Sequence, residues 1–312
     1  MLAERSNDEM LRVEAIHCRW STAFFRGDVA RTVADGREGI KHYNPERHSG
    51  LSSEFGGHDP GVCAATVIGL GLAQLGRNRE AVENVKQSLE LAKSLHHPNS
   101  MAFALMNAMT TYQVIGDRGA VRRLAQQAIE VSGKFNLPPQ HSIAVFMLAW
   151  ATACGDELAA GLHAMEAEYG RVSTLGPIPQ FYAGLLASVR LEARQTAQAL
   201  ELLNSLPKAE EAGVGFFLPE IHRLRGECLV GLGTADYNAA IHEFEAAIAA
   251  AKRQQARVFQ LRAAMGLAPA WQAAGSPERA IAPLRETLDL FAAEDDTPDL
   301  EPARQALAAL TR

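Results

Sequence analysis

The segment FGGHDPGVC, Phe55–Cys63, places a histidine, an aspartate and a cysteine within six residues. Imidazole, carboxylate and thiolate groups are the usual ligands of zinc, and a cysteine beside a histidine can act as a nucleophile. His58, Asp59 and Cys63 are therefore the first residues in this chain that could do chemistry, and they define one hypothesis: a hydrolase or transferase site.

A structural interpretation of the same segment is simpler. Asp59 directly precedes Pro60, and the apolar run VCAATVIGLGLAQL follows. Aspartate is a strong N-cap, and proline suits the first helical position because its missing N–H costs nothing there. A zinc site would need further ligands, and only His48 is near in the sequence. We therefore expect a helix start here, with no catalytic residue, metal ligand or cofactor.

The remaining sequence contains none of the common catalytic patterns. It has no HExxH, no GxSxG and no GxxxxGK[ST] phosphate loop. His96 and His97 precede Pro98, where imidazole can interact with the negative end of a helix dipole. We expect that the protein is not an enzyme.

Composition narrows the possible partners. The 312 residues are 47% apolar and 21% charged, which suits a folded core, and the net charge of −6 opposes binding to nucleic acid or an anionic membrane. The four cysteines include no CxxC pair, and the first residues include no apolar signal segment. These features predict a cytoplasmic protein with reduced cysteines.

A repeat of about 40 residues dominates the chain. Turn markers recur at intervals of 39–41 residues, at Gly76, Gly116, Gly155, Arg194, Ala235 and Gly275. An alanine follows each marker by four or five residues, at Ala81, Ala120, Ala160, Ala199, Ala240 and Ala280. Since strand signals are nearly absent, each unit is expected to be a helix pair that crosses closely at its alanine.

These observations predict an all-α protein, a right-handed superhelical solenoid of about seven tetratricopeptide-like helix pairs with long second helices. The small-residue pattern of tetratricopeptide helices is present in Ile68-Gly69…Leu72 and Leu267-Ala268…Trp271. We expect a single domain over 1–312, with a first pair in 1–45, a connecting insertion in 46–59, six further pairs in 60–296 and a capping helix in 297–312 that starts at Thr297.

Several segments resemble one bacterial group of proteins, namely IHCRWSTAFFRGD, KHYNPERHSGLSSEFGGHDPGVCAA and AKRQQARVFQLRAAMGLAPAWQ. They look like the tetratricopeptide region at the C-terminus of signalling proteins that combine an adenylate/guanylate cyclase domain with a predicted ATPase. The resemblance covers almost the whole sequence and implies a regulatory role in signal transduction. No cyclase domain accompanies the repeats here, so the chain is either a stand-alone relative or a part of a longer protein.

In tetratricopeptide folds the first helix of each pair lines a concave groove. Counting back from the turn markers gives these groove candidates: Met106, Met109, Tyr112, Val145, Phe146, Phe181, Leu185, His222, Arg225, Arg262, Met265 and Gln272. Such a groove suits an amphipathic helix or extended peptide with apolar anchors and an acidic end. Alternatives are a sensor for an amphipathic metabolite, or side chains that only pack between repeats; a monomer and a homodimer both stay open.

Overall fold

The computed structural model describes residues 8–176, 178–207, 215–233 and 237–311. Within these ranges every regular element is a helix, and no strand occurs. The all-α prediction is confirmed. The chain divides into two compact units, one made of residues up to Ala73 with Asn78–Ala151, the other of Gln74–Arg77 with the chain from Thr152 onward. The single domain expected from the sequence stays a prediction.

The helices of the first unit, including two that end at its boundary, are α1 (Glu9–Arg26), α2 (Val29–His42), α3 (Pro45–His48), α4 (Leu51–Glu54), α5 (Pro60–Gln74), α6 (Asn78–Ser94), α7 (Pro98–Ile115), α8 (Arg118–Lys134) and α9 (Pro138–Thr152). The second unit contains α10 (Leu158–Val172), α11 (Pro179–Glu192), α12 (Thr196–Asn204), α13 (Leu218–Gly231), α14 (Asn238–Gln254), α15 (Arg257–Ala273), α16 (Ile281–Leu288) and α17 (Leu300–Leu310). Short 3₁₀ helices at Gly155–Glu157 and Pro277–Ala280 precede α10 and α16.

Residues with left-handed backbone conformations lie in the turns within helix pairs and in the turns between them. The predicted turns within pairs have positive φ at Gly76, Gly116, Gly155, Arg194 and Gly275, whereas Ala235 lies outside the described residues. A second series falls between pairs, at His96, Asn136, Gly176 and Gln255. A residue in this conformation ends a helix and reverses the chain. The two series alternate, so a turn comes about every 20 residues from Gly76 to Gly176.

Prolines lie at the start of the first helix in five of the helix pairs. Pro60, Pro98, Pro138 and Pro179 are the first residues of α5, α7, α9 and α11, and Pro219 is the second residue of α13. Proline at these positions loses no helical hydrogen bond and has a φ suited to the helix. Prolines at helix starts therefore recur at about the same 40-residue interval as the turn residues.

Neighbouring helices pack in a regular way in the second unit. Each helix from α10 to α17 contacts the next one along the chain. In addition, α11 contacts α13, α13 contacts α15, and α15 contacts α17. One contact departs from this local pattern: the backbone N–H of Asp296 donates to the carbonyl oxygen of Gly76 at 3.0 Å, which places the short segment Gln74–Arg77 in the second unit.

In the first unit, polar side chains link successive helix starts. Asn99, at the start of α7, donates to the carbonyl oxygen of Gly57, just before α5. Gln140, at the start of α9, donates to the Asn99 side-chain oxygen at 2.8 Å. These three residues are about one repeat apart in sequence, so the contacts join equivalent positions of successive pairs.

The second helices are less uniform than expected. α6, α8 and α14 each have 17 residues, as long second helices should, but α12 has 9 and α16 has 8. Pro207 follows α12 closely, and Pro277 precedes α16 in a 3₁₀ turn. The residue before a proline disfavours the α conformation, so Pro207 limits α12 at its C-terminal end, whereas the 3₁₀ turn Pro277–Ala280 takes the place of the first turn of α16.

The prediction of an alanine at each close helix crossing is wrong at one position. Ala81, Ala120, Ala199, Ala240 and Ala280 are buried, whereas Ala160 is exposed. The neighbouring Gly161 takes its place, because a Cβ on Gly161 would lie 2.5 Å from the Cα of Ala153. A 3₁₀ turn opens α10, and it shifts the register of this helix by one residue.

The insertion and the C-terminal helix differ in detail from the sequence interpretation. Residues 46–59 contain most of α3 and all of α4, two single-turn helices that were not anticipated. The last helix starts at Leu300 with Asp299 in the N-cap position, so Thr297 is not its cap; the Thr297 hydroxyl instead donates to the Asp299 carboxylate at 3.2 Å. No helix of the described ranges is long and apolar enough to cross a membrane.

Candidate functional site

Asp59 caps α5, as the sequence predicts. Its Oδ1 accepts the backbone N–H of Val62 at 2.9 Å, and its Oδ2 accepts the Tyr43 hydroxyl at 2.8 Å. The backbone N–H of Asp59 donates to the Ser100 hydroxyl at 2.9 Å. The side chain is fully buried, and burial raises the pKa of its carboxyl group above the ordinary value, against the effect of these hydrogen bonds. These hydrogen bonds give Asp59 a structural role.

His58 and Cys63 lie beside a third potential metal ligand, His17, which the sequence did not place near them. One potential ligand atom from each of the three side chains lies within 4.8 Å of the other two. His17 comes from α1, His58 from the connecting loop and Cys63 from the start of α5. We call this group the His–His–Cys cluster.

Packing of α1 against α2 brings His17 to this position. Trp20, one turn after His17, is buried beneath Gly39 of α2, where an added Cβ would collide with the indole ring. The Trp20 Nε1–H donates to the Cys63 Sγ at 3.4 Å. The missing side chain at Gly39 lets the indole fit between the helices and reach the cysteine.

The His17 ring is held from two sides. Its Nδ1 lies 3.1 Å from Oε2 of Glu14, one turn earlier on α1, and its ring stacks on Trp20 with centroids 4.9 Å apart. Both His17 and Glu14 are buried. Because Nδ1 is bonded to Glu14, Nε2 is the nitrogen left to interact with another group.

The His58 ring lies flat on Phe103 of α7, with centroids 3.9 Å apart and planes 3° from parallel. It meets His17 edge to face at 5.4 Å. Among the described residues, Nε2 of His58 and Oε1 of Glu14 are buried side-chain atoms without a hydrogen-bond partner. An unsatisfied buried polar atom is costly, by about 1–3 kcal/mol, so these two atoms need an explanation.

The three side chains alter each other's charge. Burial alone would raise the pKa of Cys63, but interactions with His17 and His58 lower it to about 6. Burial alone would lower the pKa of His17, but Cys63 and Glu14 raise it to about 10. The cluster therefore favours a thiolate beside an imidazolium, or a thiolate beside a cation that replaces the imidazolium proton.

Access limits the chemistry of the cluster. Cys63 is only 3% exposed, so its sulfur is closed to a large substrate even though a neighbouring histidine could activate it. His48, the only nearby ligand suggested by sequence, is not part of the cluster; its Nδ1 accepts the backbone N–H of Asn44 at 2.9 Å. The residue that lies beside His58 and Cys63 is thus His17 and not His48.

Four of the groove candidates lie in the interior. Met109, Phe146 and Phe181 are at most 1% exposed, so they offer no surface to a partner. Leu185 is also buried, whereas Gln272 is exposed. The physical reason is helix register: a shift of one residue turns a helix by about 100° and exchanges an outward position for an inward one. Met106, Tyr112 and Val145, by contrast, are half-buried in the first unit.

The basic groove candidates of the second unit are engaged within the protein. His222 Nδ1 lies 2.7 Å from a Glu243 carboxylate oxygen. Arg225 donates to the carbonyl oxygen of Leu203 at 2.6 Å, and Arg262 pairs with Asp299 at 2.9 Å. Met265 packs against the apolar core of this unit. The Glu243 and Asp299 carboxylates therefore compete with an acidic ligand for His222 and Arg262.

Comparison with known proteins adds one relative. No family model matches the chain. An uncharacterized protein of Rhizobium meliloti (strain 1021) is 22% identical over 227 residues, which is 72% of this chain and 22% of that protein. The chain therefore spans about a fifth of the length of this relative.

Proposed function

We propose that the chain is a non-catalytic regulatory module of tetratricopeptide-like helix pairs that binds a protein partner in bacterial signal transduction. The proposed architecture is a right-handed solenoid of about seven pairs. The alternating turns and the contacts of α11, α13 and α15 with the next first helix support it. The resemblance to cyclase–ATPase–tetratricopeptide proteins supports a role in the cytoplasm, as part of a larger protein or beside one.

The observation that carries the proposal is a stripe of half-buried side chains on the first helices of the first unit. On α7 these are Met106, Thr110 and Gln113, and on α9 His141, Val145 and Leu148. Their spacing of three or four residues puts each set on one helix face. The Asn99–Gln140 contact joins the starts of the two helices. We call this surface the α7–α9 stripe.

The α7–α9 stripe fits the apolar face of an amphipathic helix in a partner protein. Met106, Val145 and Leu148 offer apolar contacts, and methionine adapts its shape to different partners. Thr110, Gln113 and His141 are the polar residues beside them. A helix with apolar residues at i, i+3, i+4 and i+7 would match this mixed surface.

Site-specific photo-crosslinking tests this proposal. A benzophenone amino acid is placed at Met106 or at Val145 in the full chain, and the native cells are irradiated. The control position is Gln127, an exposed residue of α8 that lies outside the stripe. We expect both stripe positions to crosslink to the same partner protein, through one amphipathic helix identified by mass spectrometry.

The result that would overturn the proposal is equally specific. If Met106 and Val145 give no crosslinked protein, or if Gln127 captures the same protein with equal yield, the stripe is not the binding surface. Circular dichroism of each variant shows that the helices are intact, so a negative result is not a folding failure.

A further inference from the structure

We propose that His17, His58 and Cys63 bind a zinc ion within the first unit. The three side chains reach one point from α1, the connecting loop and α5, and their ligand atoms lie within 4.8 Å of one another. Two imidazoles and one thiolate form a donor set that suits Zn²⁺ and does not suit Mg²⁺ or Ca²⁺, which prefer oxygen ligands.

The geometry needs only a small adjustment. Zn–N and Zn–S bonds of about 2.1 and 2.3 Å in a tetrahedron place the ligand atoms about 3.4–3.6 Å apart. Separations of up to 4.8 Å would close by about 1 Å when the metal binds.

The groups around the cluster orient its ligands as the outer partners of metal sites do. Glu14 holds Nδ1 of His17 at 3.1 Å and leaves Nε2 for the metal, the carboxylate–histidine–metal arrangement. Trp20 donates to the Cys63 sulfur at 3.4 Å and so favours the thiolate. Stacking on Phe103 limits the rotation of the His58 ring.

A metal would also account for a buried atom that is otherwise unsatisfied. Nε2 of His58 is buried without a hydrogen-bond partner, although the ring carrying it stacks closely on Phe103. Coordination gives this nitrogen a partner. Three protein ligands leave one position of the tetrahedron for a water molecule.

Metal titration of the full chain tests the proposal. The exposed thiols are first removed with Cys18→Ser and Cys154→Ser, so that surface cysteines do not bind metal. Co²⁺ is then added as a spectroscopic substitute for Zn²⁺. We expect one Co²⁺ per chain, a near-ultraviolet thiolate-to-cobalt charge-transfer absorption, and loss of that absorption when one equivalent of Zn²⁺ displaces the cobalt.

Variants separate this site from others. Cys63→Ala should abolish the charge-transfer absorption, and His58→Phe, which keeps a ring stacked on Phe103, should weaken cobalt binding at least about 100-fold. Glu14→Gln should weaken it about 10–100-fold. The control is Cys228→Ala, since Cys228 is a buried cysteine of the second unit and lies outside the cluster; it should leave the spectrum unchanged.

Two outcomes would overturn the inference. One is a folded parent protein that shows no charge-transfer absorption with excess Co²⁺, a result that does not depend on any cluster variant folding. The other is an absorption that persists in Cys63→Ala, which would mean adventitious binding elsewhere. Circular dichroism of every variant accompanies the titration.

Discussion

Asp59 shows how one side chain can serve several elements at once. It caps α5 through Val62, accepts the hydroxyl of Tyr43 after α2, and offers its own N–H to Ser100 of α7. A residue that joins three elements contributes more than a cap alone, because its loss leaves buried partners without hydrogen bonds.

We therefore expect Asp59→Ala to lower the free energy of unfolding by about 2–3 kcal/mol, the sum of a lost cap and an unsatisfied Tyr43 hydroxyl. Asp59→Asn is the matched control, because its side-chain oxygen can still accept from Val62 or Tyr43; its cost should be below about 1 kcal/mol. Urea denaturation in a metal-free buffer measures both. Equal costs for the two variants would contradict this account of Asp59.

At this scale the sequence predicts local roles well and distant contacts poorly. The cap at Asp59 follows from its neighbour Pro60, so it could be predicted. The meeting of His17 with Cys63 spans 46 residues and depends on how α1 packs on α5. One signal was present: Val13, Ile16 and Trp20 recur at helical spacing and define a buried face that includes His17.

Helix register decides which small residue sits at each helix crossing. The period predicts Ala160, and the structure instead has Gly161 at the crossing, where a 3₁₀ turn precedes α10. The same one-residue uncertainty moved Phe146 into the interior and left Val145 half-buried. Periodicity shows that a helix has a buried face, but which residues lie on that face depends on where the helix starts.

A pair of valine substitutions tests the register of α10. Gly161→Val would push a branched side chain into Ala153, whereas Ala160→Val adds the same side chain at an exposed position. We expect Gly161→Val to be more destabilising by at least about 1 kcal/mol, since overpacking against Ala153 outweighs the small gain in helix propensity over glycine, whereas Ala160→Val loses only helix propensity. Thermal and urea unfolding measure the difference. The reverse order would place the crossing at Ala160 instead.

On the scale of the whole molecule, the 40-residue period is the strongest feature of the sequence. It predicts the all-α class and the turns within pairs, because the repeats share local signals: a left-handed residue, a small residue and, in most of them, a proline at a helix start. The shortened α12 and α16, the helices in the insertion and the Asp296–Gly76 contact were not predicted, since they depend on features that occur once.

The measurement that tests the repeated helix pairs most directly is amide hydrogen exchange along the chain, followed by mass spectrometry of overlapping peptides. We expect slow exchange inside the long helices such as α6 and α8. Fast exchange should recur about every 20 residues, near Gly76, His96, Gly116, Asn136, Gly155 and Gly176. Protection that continues unbroken through Gly116 or Asn136, or that follows another period, would contradict the account.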